Sequence, residues 1–257
     1  MNRKKESEMF NKMAGYYDDY RPGYPAEIIQ SIVKKASLSI DSKMLEIGAG
    51  SGKATEQFAD LGFEILCIEP GKELAEKGNE KFVDKNIKFV VSRFEDYPVP
   101  AKYFDVVISA QAFHWVPKPQ GFQKSSSTLK KNGVLALFWN IELLQDTELD
   151  YELLTLMEKF NAFTSTIPEN DYEKRVMTIS NEIIDSKLFT QPEIIHARWE
   201  RNYTATEYFG FVSTGNMFIQ NSDEVKDACY KELVKLVEKH GGIKRQYICE
   251  LYLSRKI

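Results

Sequence analysis

No run in this 257-residue chain approaches the ~20 consecutive apolar residues that a membrane span requires, so no membrane partner is expected. The opening Met1-Asn2-Arg3-Lys4-Lys5-Glu6-Ser7-Glu8 has no apolar core behind it, which argues against a signal peptide and for a cytoplasmic chain. Cysteine is scarce. Cys67, Cys229 and Cys249 are odd in number, far apart and set in apolar patterns, so they read as buried thiols in a reducing compartment. They suit neither a disulfide framework nor a zinc site, and no metal is expected. Positive charge is not in surplus: 34 Lys and Arg against 38 Asp and Glu give a formal net charge of −4, so no nucleic acid is expected as a partner. Internal repeats and low-complexity runs are absent. What remains is ample material for a core, with 43% apolar and 28% charged residues, enough for one large domain.

The chain alternates between two periodicities. Pro25 opens a helix whose Ile28, Ile29, Ile32, Val33 and Ala36 share a face. Short apolar strands follow at Met44–Ile47, Glu64–Glu69, Ile87–Val91, Asp105–Ala110 and Gly133–Trp139. Helical segments separate them at Lys53–Leu61, Lys72–Lys81 and Gln120–Leu129. Strand and helix in alternation imply right-handed crossovers and an α/β fold with a doubly wound, mostly parallel sheet. Beyond Asn140, helices are expected at about Asp146–Ala162 and Asn170–Asn181, then a one-face-wet strand at Ile195–Tyr203. A helix capped by Asn221 and Glu224 and a last strand at Tyr247–Ser254 complete the chain. The expected organisation is a single domain: an N-terminal lid (1–24), a core (25–140), a helical insert (141–190), and closing strands and helices (191–257).

The most informative stretch is Leu45-Glu46-Ile47-Gly48-Ala49-Gly50-Ser51-Gly52, a strand running into three alternating glycines and then a helix. Such glycines let backbone approach a ligand closely, and a helix N-terminus offers free N–H groups to an anion. A P-loop is excluded because Gly52-Lys53 is followed by Ala54 and its first glycine position holds Ile47. A dinucleotide loop is excluded because Lys53 stands where its third glycine belongs. The pattern left is Glu-x-Gly-x-Gly-x-Gly.

This stretch resembles motif I of the class I S-adenosylmethionine-dependent methyltransferases. The resemblance implies a Rossmann-like, seven-stranded sheet with an antiparallel last strand, and S-adenosyl-L-methionine as cofactor. Glu46, Gly48, Ala49, Gly50 and Gly52 would then surround the methionine half. Glu69, followed by Pro70, would hold the ribose hydroxyls, since a carboxylate accepts both in charge-assisted bonds. Phe94-Glu95-Asp96-Tyr97-Pro98 resembles the segment along the adenine, although Arg93 stands where many relatives carry Asp; backbone groups and Phe94 are expected to serve instead. Phe104–Trp115 resembles motif IV of a branch with Ala-Gln-x-x-His-Trp after the fourth strand, bringing in Gln111, His114 and Trp115. The stretch Tyr17-Asp18-Asp19-Tyr20-Arg21-Pro22 is similar to the lid of small-molecule methyltransferases akin to trans-aconitate methyltransferase. Tyr17 and Arg21 are its candidate cofactor contacts.

Methyl transfer from a sulfonium is an in-line displacement, so the protein's main work is positioning, which supplies up to ~7–11 kcal/mol. Tyr16, Tyr17, Tyr20, Tyr24 and Trp115 are candidate aromatic walls for the cation. His114 and Trp115 are the candidate catalytic residues. His114 serves as base if a small-molecule substrate presents a hydroxyl, or as a hydrogen-bonding guide if it presents a carboxylate. Two other readings stand beside this one: a methyltransferase acting on RNA or protein, disfavoured by the acidic balance, and a cofactor-binding scaffold without catalysis. A nucleophile elbow is excluded by the spacing of Gly50-Ser51-Gly52, and Lys239–Arg245 reads as a solvated turn.

Overall fold

The apolar face of Ile28, Ile29 and Ile32 is the buried side of the first helix, α1 (Ala26–Ala36), in the computed structural model, which describes residues 20–162, 166–215 and 217–257. Pro25 stands at its N-cap, and Ser37 in the left-handed region closes it. Strand β1 (Lys43–Ile47) follows, then β2 (Glu64–Glu69), α2 (Lys72–Lys81), β3 (Ile87–Val91), β4 (Phe104–Ala110), α3 (Gln120–Thr128) and β5 (Leu129–Leu144). The rest comprises α4 (Glu148–Lys159), β6 (Thr166–Pro168), α5 (Glu169–Asp185), β7 (Glu193–Tyr203), α6 (Ala205–Ser213), α7 (Asp223–His240) and β8 (Ile243–Arg255).

The strands join in the order β3-β2-β1-β4-β5-β8-β7, with short β6 alongside β5. The sheet is mostly parallel with one antiparallel strand, as the sequence pattern implies. In register, Ile47 lies beside Ile68, and Glu46 beside both Cys67 and Ile108. Strand order reverses between β1 and its neighbours β2 and β4. Ligands bind beyond the carboxyl ends of strands at such a switch point, so the fold aims the loops after β1, β2 and β4 at one place.

Two local readings need correction. Lys53–Leu61 is not an α-helix but two single 3-10 turns, Thr55–Gln57 and Ala59–Leu61. Gln57, Phe58 and Leu61 each donate three residues back, while left-handed glycines bound the segment at Gly52 (φ 89°) and Gly62 (φ 81°). The cap of α7 is Ser222, whose hydroxyl accepts from Val225 N; the Asn221 amide instead donates to the Phe160 carbonyl.

The chain forms two compact units, interleaved along the sequence. One comprises Gly23–Asn140, Glu173–Ala197 and Cys249–Ile257. Its core is built on both faces of the parallel strands, with consecutive residues such as Met44 and Leu45 buried on opposite sides, together with Ile65, Val106 and Leu135. The other comprises the described residues of Met1–Pro22 with Ile141–Tyr172 and Arg198–Ile248. Its core joins Leu153, Met157, Tyr208, Val212, Cys229 and Leu233. Capping boxes start two of its helices: Thr147 with Asp150 on α4, and Thr204 with Glu207 on α6. All three cysteines are free and buried.

Candidate active site

The loop after β1 turns on three left-handed glycines, Gly48 (φ 69°), Gly50 (φ 58°) and Gly52 (φ 89°). Gly48 N and Ala49 N donate to the Ile68 carbonyl and pin the loop to the end of β2. A Cβ on Gly48 would lie 2.4 Å from the Ala112 Cβ, so only glycine lets the loop pack against the segment after β4. A Cβ on Gly52 would strike the Phe82 ring at 2.5 Å and the Phe89 ring at 2.9 Å. Because the segment after Gly52 is a 3-10 turn, the donors on offer are loop N–H groups and not the end of a helix.

Glu69 closes the loop from the β2 side. Its Oε2 accepts from Gly50 N at 2.8 Å and its Oε1 from Gly71 N at 2.7 Å. Each oxygen keeps a second lone pair, so the carboxylate holds the loop and still has acceptor capacity. Burial raises its pKa to about 7 against the opposing pull of the Gly71 and Gly50 N–H groups. Glu46 lies deeper, with 1% of its surface exposed, and accepts from the Thr55 hydroxyl at 2.6 Å. Burial first, and the Glu69 charge after the opposing Thr55 bond, raise its pKa to about 8. Glu46 therefore braces the loop from behind as a largely protonated acid at neutral pH. Pro70 is exposed at the turn, and Ala49 is buried in the loop.

Beside the loop, Phe94 is buried, and the Lys124 ammonium sits 5.3 Å from its ring centre while donating to the Glu95 and Tyr97 carbonyls. Lys124 thus fixes the backbone of the segment assigned to the adenine; the Glu95 side chain lies 3.8 Å from Arg93. After β4, Gln111 turns the chain with φ 59°, a conformation that non-glycine residues rarely adopt. Its side chain donates to the Asn140 carbonyl at 2.9 Å, and Asn140 Nδ2 donates to the Gly23 carbonyl at 2.8 Å. These two amides tie the loop after β4 to strand β5, and β5 to the segment just before α1.

Three residues beyond Gln111, the 3-10 turn Phe113–Trp115 presents His114 and Trp115, both exposed. The Trp139 indole N–H donates to His114 Nδ1 at 3.3 Å. That bond makes Nδ1 the acceptor and places the proton of the neutral imidazole on Nε2. Crowding by surrounding protein, then the Arg175 and Lys118 charges, lower the His114 pKa to about 4. The ring keeps one open side, so the direction carries the argument: at neutral pH His114 is an uncharged donor.

Tyr17 lies outside the described residues. Arg21 belongs to the second unit, where its Nε donates to the Thr214 hydroxyl at 2.9 Å and its guanidinium lies 5.8 Å from the Phe211 ring centre. Sequence reasoning missed Thr55, Lys124, Trp139, Asn140 and Arg175, whose partners are all distant in the chain; of these only Asn140, closing an apolar strand, carries a local signal.

Comparison with known proteins points to methyltransferases. Residues 45–137 match the family described as "Methyltransferase domain". A Saccharomyces cerevisiae protein assigned as an S-adenosylmethionine-dependent methyltransferase is 34% identical over 137 residues, covering 51% of this chain and 47% of that one. A Dictyostelium discoideum protein assigned as a methyltransferase is 27% identical over 187 residues, covering 71% and 66%. The chain spans about half the length of the first curated relatives it matches. Among solved structures, a protein from Anaeromyxobacter dehalogenans assigned as a type II methyltransferase superposes with a TM-score of 0.64 at 18% identity, over 92% of this chain and 98% of that one. A Haemonchus contortus phosphoethanolamine N-methyltransferase complexed with phosphomonomethylethanolamine and S-adenosylhomocysteine gives 0.56 at 12% identity, over 94% and 57%. At these identities the structures establish the fold. The glycine loop and the strand-end carboxylate of this site both fall within the residues that match the methyltransferase domain.

Proposed function

We propose that this protein binds S-adenosyl-L-methionine and transfers its methyl group to an oxygen of a small-molecule acceptor, a carboxylate or a hydroxyl. The observation that carries the reading is Glu69, pinned against Gly50 N at the switch point with lone pairs to spare. A ribose diol needs such an acceptor pair, and a glycine loop without Cβ atoms leaves room for the amino-acid end. Gly48, Ala49, Gly50 and Gly52 would hold that end, Glu69 the ribose, and Phe94 with the backbone of Glu95 the adenine. When bound, the cofactor supplies an activated methyl on a positively charged sulfur.

The chain's own residues then bind and orient the acceptor. The close approach of Gly48 to Ala112, two residues before His114, supports an acceptor position next to the glycine loop. His114 enters as a neutral Nε2–H donor, which suits an acceptor that is already anionic and needs no base. Trp115, 42% exposed, is an aromatic wall available to cover the bound pair and exclude water.

Titration calorimetry with S-adenosylhomocysteine is the test. Binding by the natural chain, and its loss in a Gly50→Val variant that still unfolds cooperatively, though at a lower temperature because valine is strained at φ 58°, is the expected result. Absence of binding by the natural chain at millimolar ligand would overturn the proposal. Methyl label from the cofactor should then appear on small acids or phenols; label retained on an RNA or protein fraction instead would redirect the acceptor class.

A further inference from the structure

Resting on the methyl-transfer reading, we propose that Arg175, in the second turn of α5, is the anchor for a carboxylate group of the acceptor, shared with the Nε2–H of His114 across the Trp139 ring. The resemblance in the sequence gives this segment no role; the assignment comes from three contacts. The Arg175 guanidinium carbon lies 5.5 Å from the Trp139 ring centre. The same indole donates to His114 Nδ1 at 3.3 Å. Arg175 Nε donates to Glu250 Oε1 at 2.7 Å, and the Glu250 side chain is fully buried while that of Arg175 is 32% exposed. Guanidinium, indole and imidazole therefore lie in one contiguous row within the first unit; the indole between them is buried, and both donors keep an open side.

A simple charge-neutralising role for Arg175 would be met by its bond to Glu250 alone, yet that bond uses only Nε. Among the described residues, the two terminal nitrogens make no hydrogen bond. An arginine locked at Nε by a buried carboxylate, with its plane beside an indole, has lost much of its rotamer freedom before any ligand arrives. The edge it presents matches the two oxygens of a carboxylate. The other nearby cation, Lys118, is paired with Glu182, which leaves Arg175 as the positive group on this surface able to make that contact. The lowered His114 pKa has Arg175 as its principal charged cause, which independently puts the two groups within electrostatic reach.

The test uses calorimetry and tryptophan fluorescence on the full chain saturated with S-adenosylhomocysteine, with benzoate, glutarate and citrate as probes and glutaramide as the neutral control. At least one carboxylate should saturate, with glutaramide weaker by about tenfold or more. Because Arg175→Met alone strands the buried Glu250, the variant is Arg175→Met with Glu250→Gln. It should lose about tenfold or more in carboxylate affinity while binding S-adenosylhomocysteine as the natural chain does. Arg175→Lys keeps the charge and loses the fork, and should fall between. If the double variant fails to fold, Arg175→Lys and the imidazole nitrogen shifts of His114 in the natural chain decide: carboxylate should move Nε2. Unaltered affinity in the variants that fold, or no saturation by any carboxylate at tens of millimolar while S-adenosylhomocysteine binds, overturns the assignment. Failure to bind S-adenosylhomocysteine would instead sink the reading on which it rests.

Discussion

Glu46 and Glu69 sit at the ends of neighbouring strands, one behind the glycine loop and one beside it, and both keep their protons unusually well. Their folded-state values of about 8 and about 7 exceed the ordinary 4.5, so between these limits the folded chain holds protons that the unfolded chain releases. Stability contributed by such groups is present at low pH and is lost as pH rises through the folded values. His114 acts in the opposite sense: its value falls from 6.5 to about 4, so its contribution grows with pH up to about 6.5 and is then constant. Above that point, of these three groups only the carboxyls still change with pH. Without cofactor, the unfolding free energy should fall between about pH 6.5 and 8, by at most about 1.4 kcal/mol per pH unit for each group. Urea unfolding at several pH values checks this, with Glu46→Gln expected to flatten the slope and a natural chain that is level across the window refuting it. These two acids were legible from the motif because each lies within or just after a strand whose glycines announce the loop. Arg175 was not, since its meaning depends on Trp139 and Glu250, brought together only by the sheet.

The elements around the loop are coupled through aromatic rings. Gly78 lies inside α2, where alanine ordinarily adds about 1 kcal/mol of helix stability. Here a Cβ would meet three atoms of the Phe89 ring at 2.5–2.6 Å. Phe89 stacks on Phe82 with centres 6.0 Å apart and planes 1° from parallel, and both rings fill the space that a side chain on Gly52 would need. Gly78→Ala should therefore lower the melting temperature, by the equivalent of about 1–3 kcal/mol for overpacking, and weaken S-adenosylhomocysteine binding with it. Calorimetric melting and titration of the same variant measure both; a higher melting temperature would show that Phe89 yields freely. Strand positions were readable because continuous apolar runs such as Val106–Ile108 have few other uses. The turns after Gly52 were misread because the composition of Lys53–Leu61 permits a helix, whereas the Thr55–Glu46 bond and two bounding left-handed glycines impose something tighter. Caps were half legible: Thr204-x-x-Glu207 carries a capping signal in the sequence, while Asn221 and Ser222 are equally plausible caps until Asn221 is seen to bind Phe160.

At the scale of the molecule, the order of strands follows from crossover rules, but the division into interleaved units does not. The segment between β5 and β7 reads as one insert, yet Ile141–Tyr172 clusters with one unit and Glu173–Ala197 with the other. Local pattern is silent on such allegiance because it is decided by distant side chains. The second unit shows how: Arg245 on β8, 2% exposed, pairs with Glu142 at 2.6 Å and with Asp150, both also buried. Burial pushes the Asp150 carboxyl up, but its bond to Arg245 outweighs this and holds it below the usual range. One cation thus serves two buried anions from separate elements, and Asp150 in turn completes the cap of α4. Removing the arginine leaves both carboxylates without their charge partner, and breaking a buried pair this way costs about 3–5 kcal/mol. Arg245→Met should lower stability by about that much in chemical unfolding, with hydrogen exchange rising first in α4 and α6 while β1 and β2 stay protected. Adding Glu142→Gln and Asp150→Asn should recover part of the loss, because neutral amides relieve the uncompensated charge. Were the single variant as stable as the natural chain, the network would be incidental to the second unit's core, and the apolar contacts of α4, α6 and α7 would suffice to hold it.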